Sequence, residues 1–183
     1  MTALSNFDLE FLQWLQSHRI EAFDSFFHAL SSSTTMLAIL GVLVISAIYF
    51  FKKDSISKID FVSFWVLFAT SLSINAVLKF LVARPRPFVT HPEILKMYDA
   101  GPYSFPSGHT ITAFAIAFGI LFIIKQRMYA IPFFIWAILV TYSRMVLGSH
   151  YLTDVTASIV IASVLFAVIL NKRKQTKNAA EAF

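Results

Sequence analysis

The 183-residue chain contains no cysteine. That excludes disulfides, iron–sulfur clusters, cysteine-ligated zinc and a thiol nucleophile. Glycine (5) and proline (6) are scarce, which excludes collagen-like and low-complexity character. Charge is scarce too: Asp, Glu, Lys and Arg make up 14% of the residues, against about 25% in an average soluble domain. Apolar side chains take their place, at 57% of the chain with 20 Phe among them, and the mean hydropathy is +0.70. Disorder needs low hydrophobicity and high net charge, so it is excluded. The composition is that of an integral membrane protein, and the length suits one domain.

A bilayer core of about 30 Å needs about 20 mostly apolar residues. Five segments approach this: Thr34–Phe51, Phe61–Lys79, Gly108–Ile124, Met128–Leu147 and Leu152–Leu170. Backbone polar groups in lipid must be satisfied within the segment, so these are helices. The alternation of a barrel strand is absent. From Ser5 to Ser33 the pattern differs. Phe7, Phe11, Trp14 and Leu15, then Ala22, Phe23, Phe26, Phe27 and Leu30, recur at helical spacing with Asp8, Glu10, Arg19, Glu21 and Asp24 between them. This segment reads as an interfacial amphipathic helix or a sixth span with a polar face, and it lacks the basic region and cleavage site of a signal peptide. The expected fold is an all-α polytopic membrane bundle of about six helices. It forms a single domain over residues 1–183, divided into an N-terminal helix (1–33), a helical core (34–170) and a basic tail (171–183).

Lys52, Lys53 and Lys58, then Lys125 and Arg127, then Lys172, Arg173, Lys174 and Lys177 all fall on one side if the five helices alternate. The positive-inside rule makes that side cytoplasmic, with the C-terminus there. The tail is expected to anchor to anionic lipid. The pI is 9.6, but no aromatics interleave the basic groups, so no nucleic-acid partner is expected. No obligate protein partner is evident. Lys79, Arg84, Arg86 and Arg144 lie on the opposite side, against the rule, and point to an anionic ligand there.

Three pieces converge on that side. The first is Lys79-Phe-Leu-Val-Ala-Arg84-Pro-Arg86-Pro87, where the prolines stop the helix. Ser71, Asn75 and Lys79 are spaced i, i+4 and make one polar column expected to face the bundle interior. The second is Pro106-Ser107-Gly108-His109. Here Ser107 suits an N-cap and Gly108 lets a ligand approach amides that favour anions. The third runs from Ser143-Arg144 to His150 and Asp154. His150 and Asp154 stand one helical turn apart, so a carboxylate can fix the imidazole tautomer and free its other nitrogen as a nucleophile. Gly148 supplies the break between Arg144 and His150.

Each piece alone has a plainer reading: snorkelling cations, a polar cap, or a carboxylate favoured by a helix dipole. Together they make two histidines, one carboxylate and three cations, a set suited to phosphoryl transfer. His150 attacks phosphorus and Asp154 orients it. Lys79, Arg86, Arg144, Ser107 and backbone amides hold the oxygens, and His109 protonates the leaving group and then activates water. One carboxylate and two distant histidines make a poor metal site, so neither metal nor cofactor is expected. His91, Glu93, Lys96 and Asp99 read as a solvated outer loop, and His18 and His28 as interfacial.

These three stretches resemble the signature motifs of the type 2 phosphatidic acid phosphatase (PAP2) superfamily, over about residues 34–170. The resemblance implies a six-helix membrane core, metal-independent dephosphorylation and an active site at the extracytoplasmic interface. It implies His150 as nucleophile, Asp154 as its partner and His109 as acid. Lys79, Arg86 and Arg144 become phosphate ligands, with Ser107 and Gly108 as phosphate contacts. Small bacterial members include undecaprenyl pyrophosphate, phosphatidylglycerophosphate and lipid A phosphatases, so the expected partner is an amphiphilic lipid phosphate at a bacterial inner membrane. Soluble vanadium haloperoxidases share the motifs, but this chain is built for a membrane. Two alternatives remain at this point: a phosphotransferase that hands the group to an acceptor lipid, and a lipid transporter with a basic vestibule.

Overall fold

The computed structural model describes residues 3–52 and 55–181. Regular structure among them is helical: α1 (Ala3–Ser17), α2 (Asp24–Phe51), α3 (Lys58–Val82), the one-turn α4 (Pro87–Thr90), α5 (Gly108–Ile123), α6 (Ile131–Val146) and α7 (Leu152–Glu181). Short 3-10 turns at Glu21–Phe23 and Arg127–Ala130 lead into α2 and α6. Six substantial helices are thus present among the described residues, as expected.

Residues 21–51, 58–82, 127–146 and 152–179 are long and apolar enough to cross a membrane, and α5 is a shorter apolar helix. The 16 residues of α5 measure about 24 Å at the α-helical rise. Its position explains its composition. It packs against α2, α3, α6 and α7, and Ile111, Ala113, Phe114, Ala117 and Ile120 are all buried. Gly119 takes the Phe64 ring of α3, where a Cβ would come within 2.6 Å of a ring carbon. The outer helices carry the lipid-facing surface: Leu40, Leu43 and Val44 on α2 and Val77, Phe80 and Leu81 on α3 are exposed.

Two boundaries differ from the sequence reading. Residues 5–33 are not one segment: α1 stops at Ser17, and residues 24–33 are the first turns of α2. The polar run from Ser31 to Thr35 does not break the helix, because Ser33 and Thr34 hydroxyls donate back to the Leu30 carbonyl at 3.1 and 2.9 Å. The first long apolar helix therefore begins well before Thr34, and the 33/34 division falls inside it. At 15 residues, α1 is shorter than the roughly 20 a span needs. It lies against α6 and α7, burying Leu12 and Leu15 among Val146, Leu147, Tyr151 and Val155. The 170/171 division likewise falls inside α7. That helix continues because Arg173 and Lys177, one turn apart, both reach Asp60 near the start of α3, at 2.6 and 3.0 Å. This ion-paired end carries the start of α3 and the end of α7, with Lys58 and Lys172 beside them. Lys53 lies outside the described residues. The end of α3, the start of α5 and the α6–α7 turn meet at the opposite end.

Candidate active site

The three motif pieces are delivered by helix ends. α3 runs three residues beyond Lys79 and closes at Ala83, which adopts a left-handed conformation with φ 47°. The extended segment that follows is held by the outer loop: Ser104 N–H donates to the Arg84 carbonyl at 2.8 Å, and Pro85 pairs with Tyr103. Ser107 caps α5, accepting from Thr110 N–H at 3.4 Å and from the Thr110 hydroxyl at 2.9 Å. The α5 start is docked on α7, where Ser158 donates to the Ser107 carbonyl at 3.1 Å. The α6–α7 turn is pinned by the Arg144 carbonyl, which accepts from Ser149 and His150 N–H at 3.1 and 3.2 Å. Gly148 makes the expected break at φ +73°, and a Cβ there would collide with the Leu95 carbonyl. Gln16 of α1 fastens the same place, donating to the Leu95 and Val146 carbonyls and accepting from Leu95 N–H.

These ends enclose a cavity of about 310 Å³ lined by Lys79, Arg86, Gly108, His109, Arg144 and His150, with outer-loop residues including Tyr98, Asp99 and Tyr103. Six of the eight site residues named from sequence thus meet on one volume. Asp154 and Ser107 are buried beneath it, both 0% exposed.

His150 is 2% exposed. Its Nδ1 lies 3.6 Å from Asp154 Oδ2, a charge contact too long for a hydrogen bond, and has no hydrogen-bond partner among the described residues. Its Nε2 stands 3.2 Å from Arg86 Nη1. An arginine N–H only donates, so Nε2 is the unprotonated acceptor in this contact and the proton sits on Nδ1. Burial pushes the His150 pKa down to about 3 against the pull of Asp154, which leaves the imidazole neutral near pH 7.

Each cation is held differently. Arg86 donates to the Gly101 and Ser149 carbonyls. Lys79 donates to the Tyr103 and Pro106 carbonyls at 3.2 and 3.1 Å. The polar column below it behaves as expected: Ser71 and Asn75 are buried, and Asn75 also donates to Pro106. Arg144 is 1% exposed. It donates to Ser31 of α2 and stacks on the Tyr98 ring at 4.2 Å. Its Nε has no hydrogen-bond partner among the described residues, which leaves donor capacity toward an anion. The Tyr98 ring also lies edge-on to His109 at 6.1 Å.

Sequence reasoning missed Asp8, Ser31 and Tyr98, and grouped Arg84 with the anion-binding cations. Arg84 does not line the cavity. It is bound by Asp154 and Asp8, each at 2.8 Å. A signal for Asp8 was present: with Leu12 and Gln16 it forms an i, i+4, i+8 row, and all three are buried. A carboxylate on the buried face of an amphipathic helix needs a cation. Among the described residues no group of three His, Asp or Glu side chains converges to hold a metal.

The chain is 37% identical to the undecaprenyl-diphosphatase BcrC of Bacillus subtilis over 94 residues, 51% of this chain and 48% of that protein. It is 28% identical to a lipid A 4'-phosphatase of Porphyromonas gingivalis over 154 residues, 78% of this chain and 62% of that protein. It thus spans about half of the one relative and three-fifths of the other. The crystal structure of a transmembrane PAP2-type phosphatidylglycerolphosphate phosphatase from Bacillus subtilis shares the fold, with TM-score 0.79 at 22% identity over 96% of this chain and 88% of that one. The sequence profile of the PAP2 superfamily matches residues 60–177, the stretch that carries all three motif pieces, and this integral membrane chain belongs to that superfamily.

Proposed function

We propose that the protein is a lipid phosphatase acting on an amphiphilic phosphate or pyrophosphate through a phosphohistidine. One observation carries the reading. The unprotonated Nε2 of a buried, neutral His150, which accepts from Arg86, opens on a cavity that Lys79, Arg86, Arg144 and His109 share, while Nδ1 faces Asp154. In the first step Nε2 forms a bond to phosphorus and the bond to the leaving oxygen breaks, that oxygen taking a proton from His109. The imidazole becomes cationic, and Asp154 stabilises it through Nδ1–H. In the second step His109 takes a proton from water, the hydroxide attacks phosphorus and the P–N bond breaks, releasing phosphate. Lys79, Arg86 and Arg144 neutralise the transferring oxygens and the Gly108 amide at the α5 N-terminus donates to them, while Ser107, buried beneath the cavity, holds that helix start in place. Their charge does the work that a metal does elsewhere, so the proposed reaction uses no metal or cofactor.

The cavity lies at the end of the bundle opposite the Asp60–Arg173–Lys177 cluster. By the positive-inside rule, we place the site on the extracytoplasmic face of a bacterial inner membrane and the C-terminus in the cytoplasm. A lipid there keeps its chains in the bilayer while its phosphate meets the cations. The names of the relatives point to undecaprenyl pyrophosphate, phosphatidylglycerophosphate and lipid A as candidate substrates, and phosphatidic acid, expected from the superfamily resemblance, completes a panel of four. Inorganic phosphate release from these four lipids in detergent with EDTA tests the reading. Wild type is expected to release phosphate from at least one, and His150→Ala from none. Turnover retained by His150→Ala rejects the nucleophile. A phosphorylated product that appears only with an added acceptor lipid replaces hydrolysis with phosphotransfer.

A further inference from the structure

Three groups stand directly behind His150. Asp154 is 0% exposed and Asp8, from α1, is 1% exposed. Arg84 lies between them, donating through Nη1 to Asp154 Oδ1 and through Nη2 to Asp8 Oδ2, both at 2.8 Å. The Arg84 guanidinium also lies over the Tyr151 ring at 3.8 Å and donates to the Thr153 hydroxyl at 2.7 Å. Burial works against this cation, yet the two carboxylates hold its pKa above the usual range.

The arrangement poses an electrostatic problem. Asp154 paired with Arg84 alone is a neutral unit, and a neutral unit does little for a positive charge growing on the neighbouring imidazole. The second carboxylate changes the sum: Asp8, Arg84 and Asp154 together carry one net negative charge. In a buried setting the field of that charge is weakly screened. Asp8 is also not needed as a charge for its other task. Its Oδ1 accepts from Thr153 N–H at 3.0 Å, in the first turn of α7, and an amide oxygen can do the same.

We infer that Asp8 and Arg84 are positioning residues for the catalytic pair: Arg84 fixes the Asp154 carboxylate, and Asp8 restores the net negative charge that lets Asp154 stabilise the cationic His150. Helix α1, outside the profile-matched region, thereby completes the site. The inference rests on the phosphohistidine reading above.

The test uses full-length protein in detergent and whichever of the four lipids the wild type hydrolyses best, with kcat, KM and melting temperature measured together. Asp8→Asn keeps the acceptor for Thr153 N–H and removes the charge, together with the Oδ2 acceptor of the Thr153 hydroxyl. It is expected to lower kcat by at least about tenfold with KM within about twofold, the pattern of an interaction made in the transition state. The double variant Asp8→Asn/Arg84→Gln again leaves one net negative charge, on Asp154 alone. It is expected to recover kcat to within about tenfold of wild type. A purely structural role for Asp8 predicts no such rescue. The double variant also leaves no unmatched cation, so it reads the same electrostatics if Asp8→Asn fails to fold. A folded double variant that is inactive, or no better than Asp8→Asn, overturns the inference. So does Asp8→Asn turning over at wild-type rate while His150→Ala is dead, an outcome that leaves the phosphohistidine reading standing. Activity in His150→Ala rejects that reading and this inference together.

Discussion

Replacing Asp154 by Asn removes the charge nearest the proposed nucleophile while keeping the shape of the side chain. The carboxylate oxygen lies 3.6 Å from His150 Nδ1. Unit charges at that separation interact by about 4–5 kcal/mol at an effective dielectric of about 20, equivalent to about three decades of rate. Arg84, 2.8 Å from the other oxygen, offsets part of this. A kcat decrease of about 10²–10³-fold is therefore expected for Asp154→Asn. KM should hardly move, because Asp154 is buried beneath the cavity and does not line it. Some stability should also go. Asp154 accepts from Arg84 on one oxygen and from Tyr151 N–H at 2.9 Å on the other, and an Asn amide can satisfy only one of these donors. The orphaned donor costs about 1–3 kcal/mol. Phosphate release under saturating lipid reads kcat, and a thermal melt in the same detergent confirms that the variant is folded. A folded Asp154→Asn enzyme within fivefold of wild-type kcat would refute the His150–Asp154 pairing.

EDTA is expected to leave turnover unchanged, because three protein cations neutralise the phosphate; inhibition reversed by magnesium contradicts that mechanism. The neutral His150 should show no titration of its imidazole between pH 8 and 4.5 by histidine NMR, its pKa being near 3 where the ordinary value is 6.5; a midpoint near 6.5 refutes the burial argument. The same shift has a stability consequence. The unfolded chain takes up a proton at this residue below pH 6.5 and the folded one does not, so His150 lowers stability as pH falls from 6.5 toward 3. Gly148→Ala puts a Cβ at φ +73° against the Leu95 carbonyl. It should lower stability by about 1–3 kcal/mol and lower activity with it, since Ser149 and His150 follow in the same turn; an unchanged melt shows that the turn does not need glycine.

The sequence by itself determined much of this protein. Apolar runs near bilayer length could only be helices, because lipid offers no partner for a free amide. Lys79 and Arg86, Ser107 to His109, and Arg144, His150 and Asp154 were legible because each sits at a helix end marked by proline, glycine or a capping serine. Their convergence followed from alternation of the helices. The boundaries near residues 33 and 170 were not legible from composition. The Ser33 and Thr34 hydroxyls that bond back to Leu30 keep α2 intact, and Asp60 draws the basic end of α7 onto α3, so both helices outrun their apolar stretches. The roles of the two arginines were decided by tertiary structure alone. Arg84 and Arg86 share one short extended segment and one side-chain chemistry, and no local pattern separates them. Arg84 meets two buried carboxylates, one of them 76 residues away in α1. Arg86 meets the Ser149 carbonyl and the His150 ring, 63 and 64 residues ahead. A buried charge is assigned by what packs against it, and only the folded chain brings those partners together.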